Sequence, residues 1–322
     1  MGELSGDEPV AGAAPATRSG FVALAGRPNV GKSTLANAIV GAKVAIVSDK
    51  PQTTRRAIRG VATGPGWQLV LVDLPGVQRP RDALTERMQR RVERELADAD
   101  GCLLVLDATG SRPPHQAIGP GDRFIARLLA RAGAGADGVP VTIAVNKIDR
   151  AGRAGRGQVA AALEGAEALG LGGDIFPVSA RTGAGVAALI DHLAGMLPPG
   201  PLYFPAGQRS DQAREVVLAE LVREQVLART RQEVPHAVEV EVEEIAPLPS
   251  GVIRIQATLL VETESQKGIL IGASGSMIRS IGTAARRAIE PELGERVHLE
   301  LSVRVRRHWR ADERVLDRLG IE

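Results

Sequence analysis

Short apolar runs recur through the first part of the chain, at residues 21–25, 68–72, 103–106, 141–145 and 175–178, with helix-like or loop-like segments between them. Leu84, Met88, Val92 and Leu96 repeat every four residues, the spacing that gathers side chains on one helix face. Runs that are apolar throughout belong to strands buried on both faces. Such strands alternating with helices predict an α/β domain with a mostly parallel, doubly wound sheet. Gly-rich stretches at 133–138 and 152–157 read as surface loops. The pattern closes near Leu197, and Pro198, Pro199, Pro201 and Pro205 then mark a linker.

Beyond the linker the periodicity changes. Residues 212–229 read as a helix. Val238, Val240 and Val242 alternate with Glu239, Glu241 and Glu243, the pattern of a half-buried strand with its carboxylates outward. Residues 252–261 form a second strand, a helix–Gly-rich turn–helix follows, and Leu299, Leu301, Val303 and Val305 alternate with polar residues in a last strand. The expected organisation is a disordered extension over 1–18, the α/β domain over 19–197, a linker over 198–211 and an α+β domain over 212–322.

Composition narrows the chemistry. Aromatic residues are only 2% of the 322, so the core must be Val, Ile, Leu and Ala, and stacking on aromatic platforms is disfavoured as a nucleic-acid mode. Cys102 is the single cysteine, which excludes an intrachain disulfide and a Cys-based metal site. No apolar run reaches the ~18 residues of a membrane span, and residues 1–18 lack the basic start and apolar run of a signal peptide. The expected setting is therefore soluble and cytoplasmic. Arg dominates the basic residues; Lys32, Lys43, Lys50, Lys147 and Lys267 are the only lysines, and a Lys kept against that bias draws notice.

The run 21–25 leads into Gly26, Arg27, Pro28, Asn29, Val30, Gly31, Lys32, Ser33 and Thr34, a Gly-rich loop between strand and helix. Backbone N–H groups and a helix N-terminus converge there on phosphate oxygens. Lys32 is placed to reach the β- and γ-phosphates, and the Ser33 hydroxyl to bind Mg²⁺. Asp73, with Leu74, Pro75 and Gly76, ends a strand; its carboxylate can hold the Mg²⁺ shell and the Gly76 N–H can meet a γ-phosphate. Asn146, Lys147, Ile148 and Asp149 follow the apolar run at 141–145. A carboxylate at Asp149 accepts from both N1–H and the 2-amino group of guanine, a donor pair adenine lacks. Asn146 braces the loop and the Lys147 stem covers the base. Ser179, Ala180 and Arg181 follow 175–178, with backbone N–H groups available to the guanine O6. Four motifs in this order, each at a strand end, specify a GTP/GDP site. The polar loop with Pro51, Gln52, Thr53, Thr54 and Arg55 offers a hydroxyl that joins Mg²⁺ only when the γ-phosphate is present. Thr54 is assigned that role, with Thr53 the alternative.

Together these residues resemble the translation-factor class of GTPases and, within it, the Era family. The resemblance implies a P-loop GTPase domain with slow intrinsic hydrolysis, in which Asn29, Lys32, Thr54 and Gly76 serve catalysis and Ser33, Thr54 and Asp73 serve the metal. Val77 stands where Ras-like proteins place a water-orienting Gln. Similar proteins with an apolar residue there use K⁺ held partly by the P-loop Asn, here Asn29.

In the second domain Gly272, Ala273, Ser274 and Gly275 form a GxxG turn between two helices, the backbone clamp of KH domains. Helix, two strands, helix–GxxG–helix and strand is the order of the type II KH fold. On the following helix Ile278, Ile281, Ala285 and Ile289 share one face and are assigned to the core, while Arg279, Thr283, Arg286 and Arg287 share an exposed side. With Lys267, Gly272, Ala273, Ser274 and Gly275 these form the expected RNA site. Residues 206–322 hold 17 basic and 19 acidic side chains, so the basic character is local. Era-like proteins commonly carry a Lys inside GxxG where this chain has Ala273 and Ser274. The run from Trp309 to Gly320 also resembles the Era ending. The resemblance implies a monomer that binds 16S ribosomal RNA near its 3′ end and assists assembly of the 30S subunit. Some members also associate loosely with the inner face of the membrane. The alternatives are a membrane-linked regulatory GTPase and an RNA-binding scaffold that holds nucleotide without significant hydrolysis.

Overall fold

The computed structural model describes residues 17–48, 58–74, 83–109, 118–135, 138–150, 155–231 and 234–321. The first-domain elements are β1 (Arg18–Ala25), α1 (Lys32–Val40), β2 (Ile58–Gly64), β3 (Trp67–Asp73), α2 (Ala83–Ala97), β4 (Gly101–Asp107), α3 (Pro120–Arg131), β5 (Val141–Asn146), α4 (Gly155–Glu167), β6 (Ile175–Pro177) and α5 (Val186–Met196). The sheet order is β2-β3-β1-β4-β5-β6. All neighbours are parallel except β2, which runs antiparallel to β3 on the edge.

The apolar strands are buried on both faces. Leu24, Leu103 and Val105 pack with Leu35 and Ile39 of α1 and Leu189 and Leu193 of α5. Ala25, Leu104 and Leu106 face Val92 and Leu96 of α2, Ile125 and Leu129 of α3, and Ala162 of α4. Parallel strands carry their helices on opposite faces, so the C-terminal ends of β1, β3, β4, β5 and β6 line one sheet edge, where doubly wound proteins bind ligands.

Strand β2 went unmarked in the sequence because its segment, Ile-Arg-Gly-Val-Ala-Thr-Gly, is neither a continuous apolar run nor a strict alternation. Gly60 within it is needed for packing: a Cβ there would come within 2.9 Å of Val40 and 3.0 Å of Val44. The stretch at 152–157 also differs from the loop expected, since α4 starts at Gly155.

The second-domain elements are α6 (Arg214–Arg229), α7 (Val234–Ala237), β7 (Glu239–Pro247), β8 (Ile253–Val261), α8 (Glu264–Ile271), α9 (Ser276–Leu293), β9 (Val297–Val305) and α10 (Glu313–Arg318). Strands β7 and β8 pair antiparallel, and β9 adds parallel to β8. Val222 and Val226 of α6 and Ile281, Ala285 and Ile289 of α9 cover one face of this sheet. Trp309, Val315, Leu316 and Leu319 form a smaller cluster with Leu260, and Trp309 Nε1 donates to Ala237 O at 2.8 Å. Glu239 departs from the expected outward row of carboxylates. It is fully buried beside Arg223, which also donates to Glu220 at 2.9 Å. A buried guanidinium requires carboxylate partners, and that demand overrides the strand's simple alternation.

The Pro-rich segment is held to the first domain. Gln68 is buried and accepts from Tyr203 N–H and Phe204 N–H while donating to Phe204 O. Thr17 and Arg18, placed in the extension from sequence, are ordered against the same segment: Thr17 Oγ1 donates to Gly200 O and Arg18 Nη1 to Leu197 O.

Candidate functional site

The loop after β1 folds tightly. Gly26 and Gly31 have φ of 152° and 99°, and Asn29 adopts φ 64°, a left-handed conformation that Asn tolerates better than most residues. A Cβ on Gly26 would lie 2.6 Å from Val105 O, and one on Gly31 would lie 2.4 Å from Asn146 Nδ2. The two glycines thus let the loop close onto β4 and onto the Asn146 loop. Lys32 opens α1 and is buried; its Nζ donates to Gly26 O at 3.1 Å and Arg27 O at 3.2 Å. Burial lowers its pKa from 10.5 to about 8, and the Asp73 carboxylate opposes that shift. The ammonium is therefore poorly solvated and held inside the loop, ready for an anion that the loop's N–H groups also bind.

Ser33 Oγ donates to Asp73 Oδ2 at 2.7 Å. A hydroxyl and a carboxylate side by side, with few other ligands, suit Mg²⁺, which takes one or two protein oxygens and completes its shell with water and phosphate. Among the described residues no cluster of three or more His, Cys, Asp or Glu offers an all-protein metal cage. Thr34 continues α1 beside Ser33. Thr53, Thr54, Gly76 and Val77 lie outside the described residues.

The Asn146 loop joins the others. Asn146 Nδ2 donates to Val30 O at 3.0 Å, and its Oδ1 accepts from Ala180 N–H at 3.0 Å. Lys147 adopts φ 68° and its Nζ donates to Asn29 O at 2.5 Å and Asp107 Oδ2 at 2.6 Å. Asp149 accepts from Ser179 Oγ at 2.6 Å and Arg181 Nε at 2.9 Å. The Ser179 hydrogen bond is the main cause holding the Asp149 carboxyl below the usual range; burial opposes it and Arg181 reinforces it. An ionised Asp149 is what a base presenting two donors requires.

Ala180 N–H is engaged by Asn146 and Ser179 N–H donates to Ala184 O at 2.9 Å, so these backbone donors are used within the protein. The side chains of Ser179 and Arg181 serve Asp149 instead. Asp107 is the residue that sequence reading missed. Burial would raise its carboxyl, but hydrogen bonds from Lys147 and Thr109 and the Lys147 charge hold it below the usual range. Its one sequence signal is a carboxylate at the end of a buried strand.

In the second domain Gly272 (φ 70°), Ser274 (φ 50°) and Gly275 (φ 76°) make the GxxG turn. A Cβ on Gly272 would lie 2.8 Å from Met277 Cβ. Arg279 Nη2 donates to Ser274 O at 2.7 Å, so this arginine braces the turn as well as standing exposed. Beside it runs a groove of about 420 Å³ lined by Arg279, Thr283 and Arg286 of α9 and by Val297, Leu299 and Leu301 of β9. Ile278, assigned from sequence to the core, is half-buried and forms part of this groove with Gly282, because the helix faces β9 here rather than the sheet interior. His298 lines the groove too. Arg287 is exposed and Lys267 half-buried, and neither lines it.

The fold and the gathered loops define the class: a P-loop GTPase domain followed by a type II KH domain. Residues 21–147 match the family model described as 50S ribosome-binding GTPase, and residues 233–310 match that of the KH domain. The chain is 45% identical over 306 residues to the GTPase Era of Mycobacterium avium (strain 104), covering 94% of this chain and 98% of that protein. It is 45% identical over 304 residues to the GTPase Era of Mycobacterium tuberculosis (strain ATCC 25618 / H37Rv), with the same coverage. Among solved structures, an Aquifex aeolicus Era variant bound to GDP·AlF4⁻ superposes with a TM-score of 0.86 at 34% identity, over 95% of this chain and 99% of that one. An Era in complex with MgGDPNP and nucleotides 1506–1542 of 16S ribosomal RNA gives 0.87 at 34% identity with the same coverage. The chain belongs to the Era family of GTPases, and it is a GTP-binding, GTP-hydrolysing enzyme with an RNA-binding KH domain.

Proposed function

We propose that this GTPase binds 16S ribosomal RNA near its 3′ end and assists assembly of the 30S subunit in the cytoplasm, its nucleotide state timing RNA binding. The observation that carries the reading is the GxxG turn opening onto an Arg-flanked groove on a chain that matches, over 95% of its length, an Era structure holding both a GTP analogue and 16S RNA. Lys32 and the N–H groups of residues 26–34 hold the phosphates, Ser33 and Asp73 hold Mg²⁺ with Thr54 completing its shell, and Asp149 reads guanine. Mg²⁺, when bound, neutralises charge on the β- and γ-phosphates. Gly76 meets the γ-phosphate. No helix among the described residues is long and apolar enough to cross a membrane.

Crosslinking the protein to cellular RNA and sequencing the fragments tests the partner. Reads should concentrate at the 3′ end of 16S RNA; an even spread over ribosomal RNA removes the assignment. Arg286→Ala should weaken binding to a single-stranded 16S fragment and flatten the log affinity–log salt slope by about 0.7, one phosphate contact on a single strand. An unaltered slope would take Arg286 out of the interface.

We also propose that K⁺ near Asn29 supplies positive charge beside the phosphates, because Val77 stands where a Gln would orient the attacking water. Hydrolysis should run faster in KCl than in NaCl at equal ionic strength, and Asn29→Ala should erase the difference. Equal wild-type rates in the two salts dispose of the idea.

A further inference from the structure

Lys147 adopts a left-handed backbone at φ 68°, a conformation that a residue with a long side chain rarely visits. Such a backbone persists only where its surroundings hold it. Strands β4 and β5 run parallel with Asp107 opposite Asn146, and Ala108 N–H donates to Asn146 O at 2.9 Å, so the two strand ends stay side by side. From there the Lys147 stem runs along the loop after β1: its Cε is 3.9 Å from where a Cβ on Gly31 would stand. Its ammonium ends on two acceptors, Asn29 O at 2.5 Å and Asp107 Oδ2 at 2.6 Å.

Asp107 is itself fixed. Its Oδ1 accepts from Thr109 N–H at 2.8 Å and from Thr109 Oγ1 at 2.6 Å, which leaves Oδ2 to Lys147. Both side chains of the pair are 18% exposed, so this contact is shielded, unlike a solvated surface ion pair of little energetic consequence. Burial works against ionisation of the carboxyl, but the hydrogen bonds from Lys147 and Thr109 prevail. A free lysine stem samples many rotamers, and ordering it when a ligand binds costs entropy. A stem already held by Asp107 escapes most of that cost.

We propose that Asp107, which stands outside the guanine-nucleotide motifs, is a positioning residue that presets the Lys147 stem as a platform for the base and so slows nucleotide release. It acts through Lys147. The base is common to GTP and GDP, so the contribution is the same for both. The inference rests on the reading that the Lys147 stem covers the base.

The test follows release of fluorescent GDP from the full-length protein. Asp107→Asn keeps an acceptor for Thr109 N–H and turns its amide N–H₂ toward Lys147, so the ion pair is lost and the turn is kept. Asp107→Ser also caps that turn and is too short to reach Lys147; it serves as a second variant should the amide disturb folding. Each should speed GDP release by about ten-fold, the low end of what a hydrogen bond to a charged group contributes. Affinity for a non-hydrolysable GTP analogue should fall by the same factor, and hydrolysis at saturating GTP should be unchanged. Lys147→Ala should speed release at least as much, and adding Asp107→Asn to it should cost nothing further, because the two act as one unit. Losses that add in the double variant, or wild-type release in both Asp107 variants, overturn the role of Asp107. Wild-type release in Lys147→Ala would instead refute the stem as cover for the base and, with it, this inference.

Discussion

Asp149→Asn should lower affinity for GTP and GDP by roughly 100-fold or more while raising affinity for xanthosine nucleotides. Guanine presents N1–H and a 2-amino group to an ionised carboxylate, and a hydrogen bond to a charged group contributes about 1.5–3 kcal/mol. The Asn side chain keeps one acceptor but sets its own N–H₂ against the guanine amino group. Xanthine carries an oxygen at that position and accepts from the amide. The fold should tolerate the change. Asp149 does pair with Arg181, but that side chain is 70% exposed, so the ion pair contributes little to stability. Calorimetric titration with GDP and XDP distinguishes the outcomes; undiminished GDP affinity in the variant would mean that Asp149 does not read the base.

Lys32→Met should have two effects of opposite sign. Triphosphate affinity and hydrolysis should collapse, with turnover falling by about 100-fold or more, as when a donor to developing negative charge is removed. The protein without nucleotide should become more stable. Lys32 has a folded pKa of about 8 against an unfolded 10.5, so burial disfavours its charged form. Below pH 8 it is protonated in both states and the penalty is fully present. As pH rises from 8 to 10.5 the unfolded chain keeps a proton the folded chain has released, and stability increases with pH. The span corresponds to about 3 kcal/mol, reduced in the variant by the loss of the hydrogen bonds to Gly26 O and Arg27 O. The stabilisation should therefore be greatest below pH 8 and gone above 10.5. Thermal melts across that range check it. Wild type should also gain about 2.7 kcal/mol at a GTP concentration of 100 Kd, a shift the variant should lack. A variant less stable than wild type at pH 7 would show that Lys32 supports the folded loop rather than straining it.

Much of the first domain was legible because its chemistry demands fixed residue types directly after buried strands. The positions of Gly26 to Thr34, Asp73, Asn146 to Asp149 and Ser179 to Arg181 at one sheet edge follow from their places directly after the strand runs. What those residues do to one another was not legible. Asn146 bracing Val30, and Lys147 reaching Asn29 and Asp107, join positions 116, 118 and 40 residues apart. The KH order was equally plain, yet the helix after GxxG was misread at Ile278. Helical spacing shows which residues share a face but not whether that face meets the sheet interior or the open side of β9. Lys43 stood out as one of few lysines, with nothing nearby to explain it; its partner Glu224 is 181 positions away.

The order of strands and helices, the guanine-nucleotide motifs and the GxxG turn follow from the sequence alone, because periodicity, turn chemistry and phosphate-binding loops are written within a few residues of one another. The edge strand β2, the buried Arg223–Glu220–Glu239 group, the docking of the Pro-rich segment on Gln68 and the contact of Glu224 with Lys43 and Val47 were decided only by tertiary structure. Each joins groups whose pairing is chosen by how the whole chain packs and which buried polar atoms must then find partners. Local pattern carries no record of that choice.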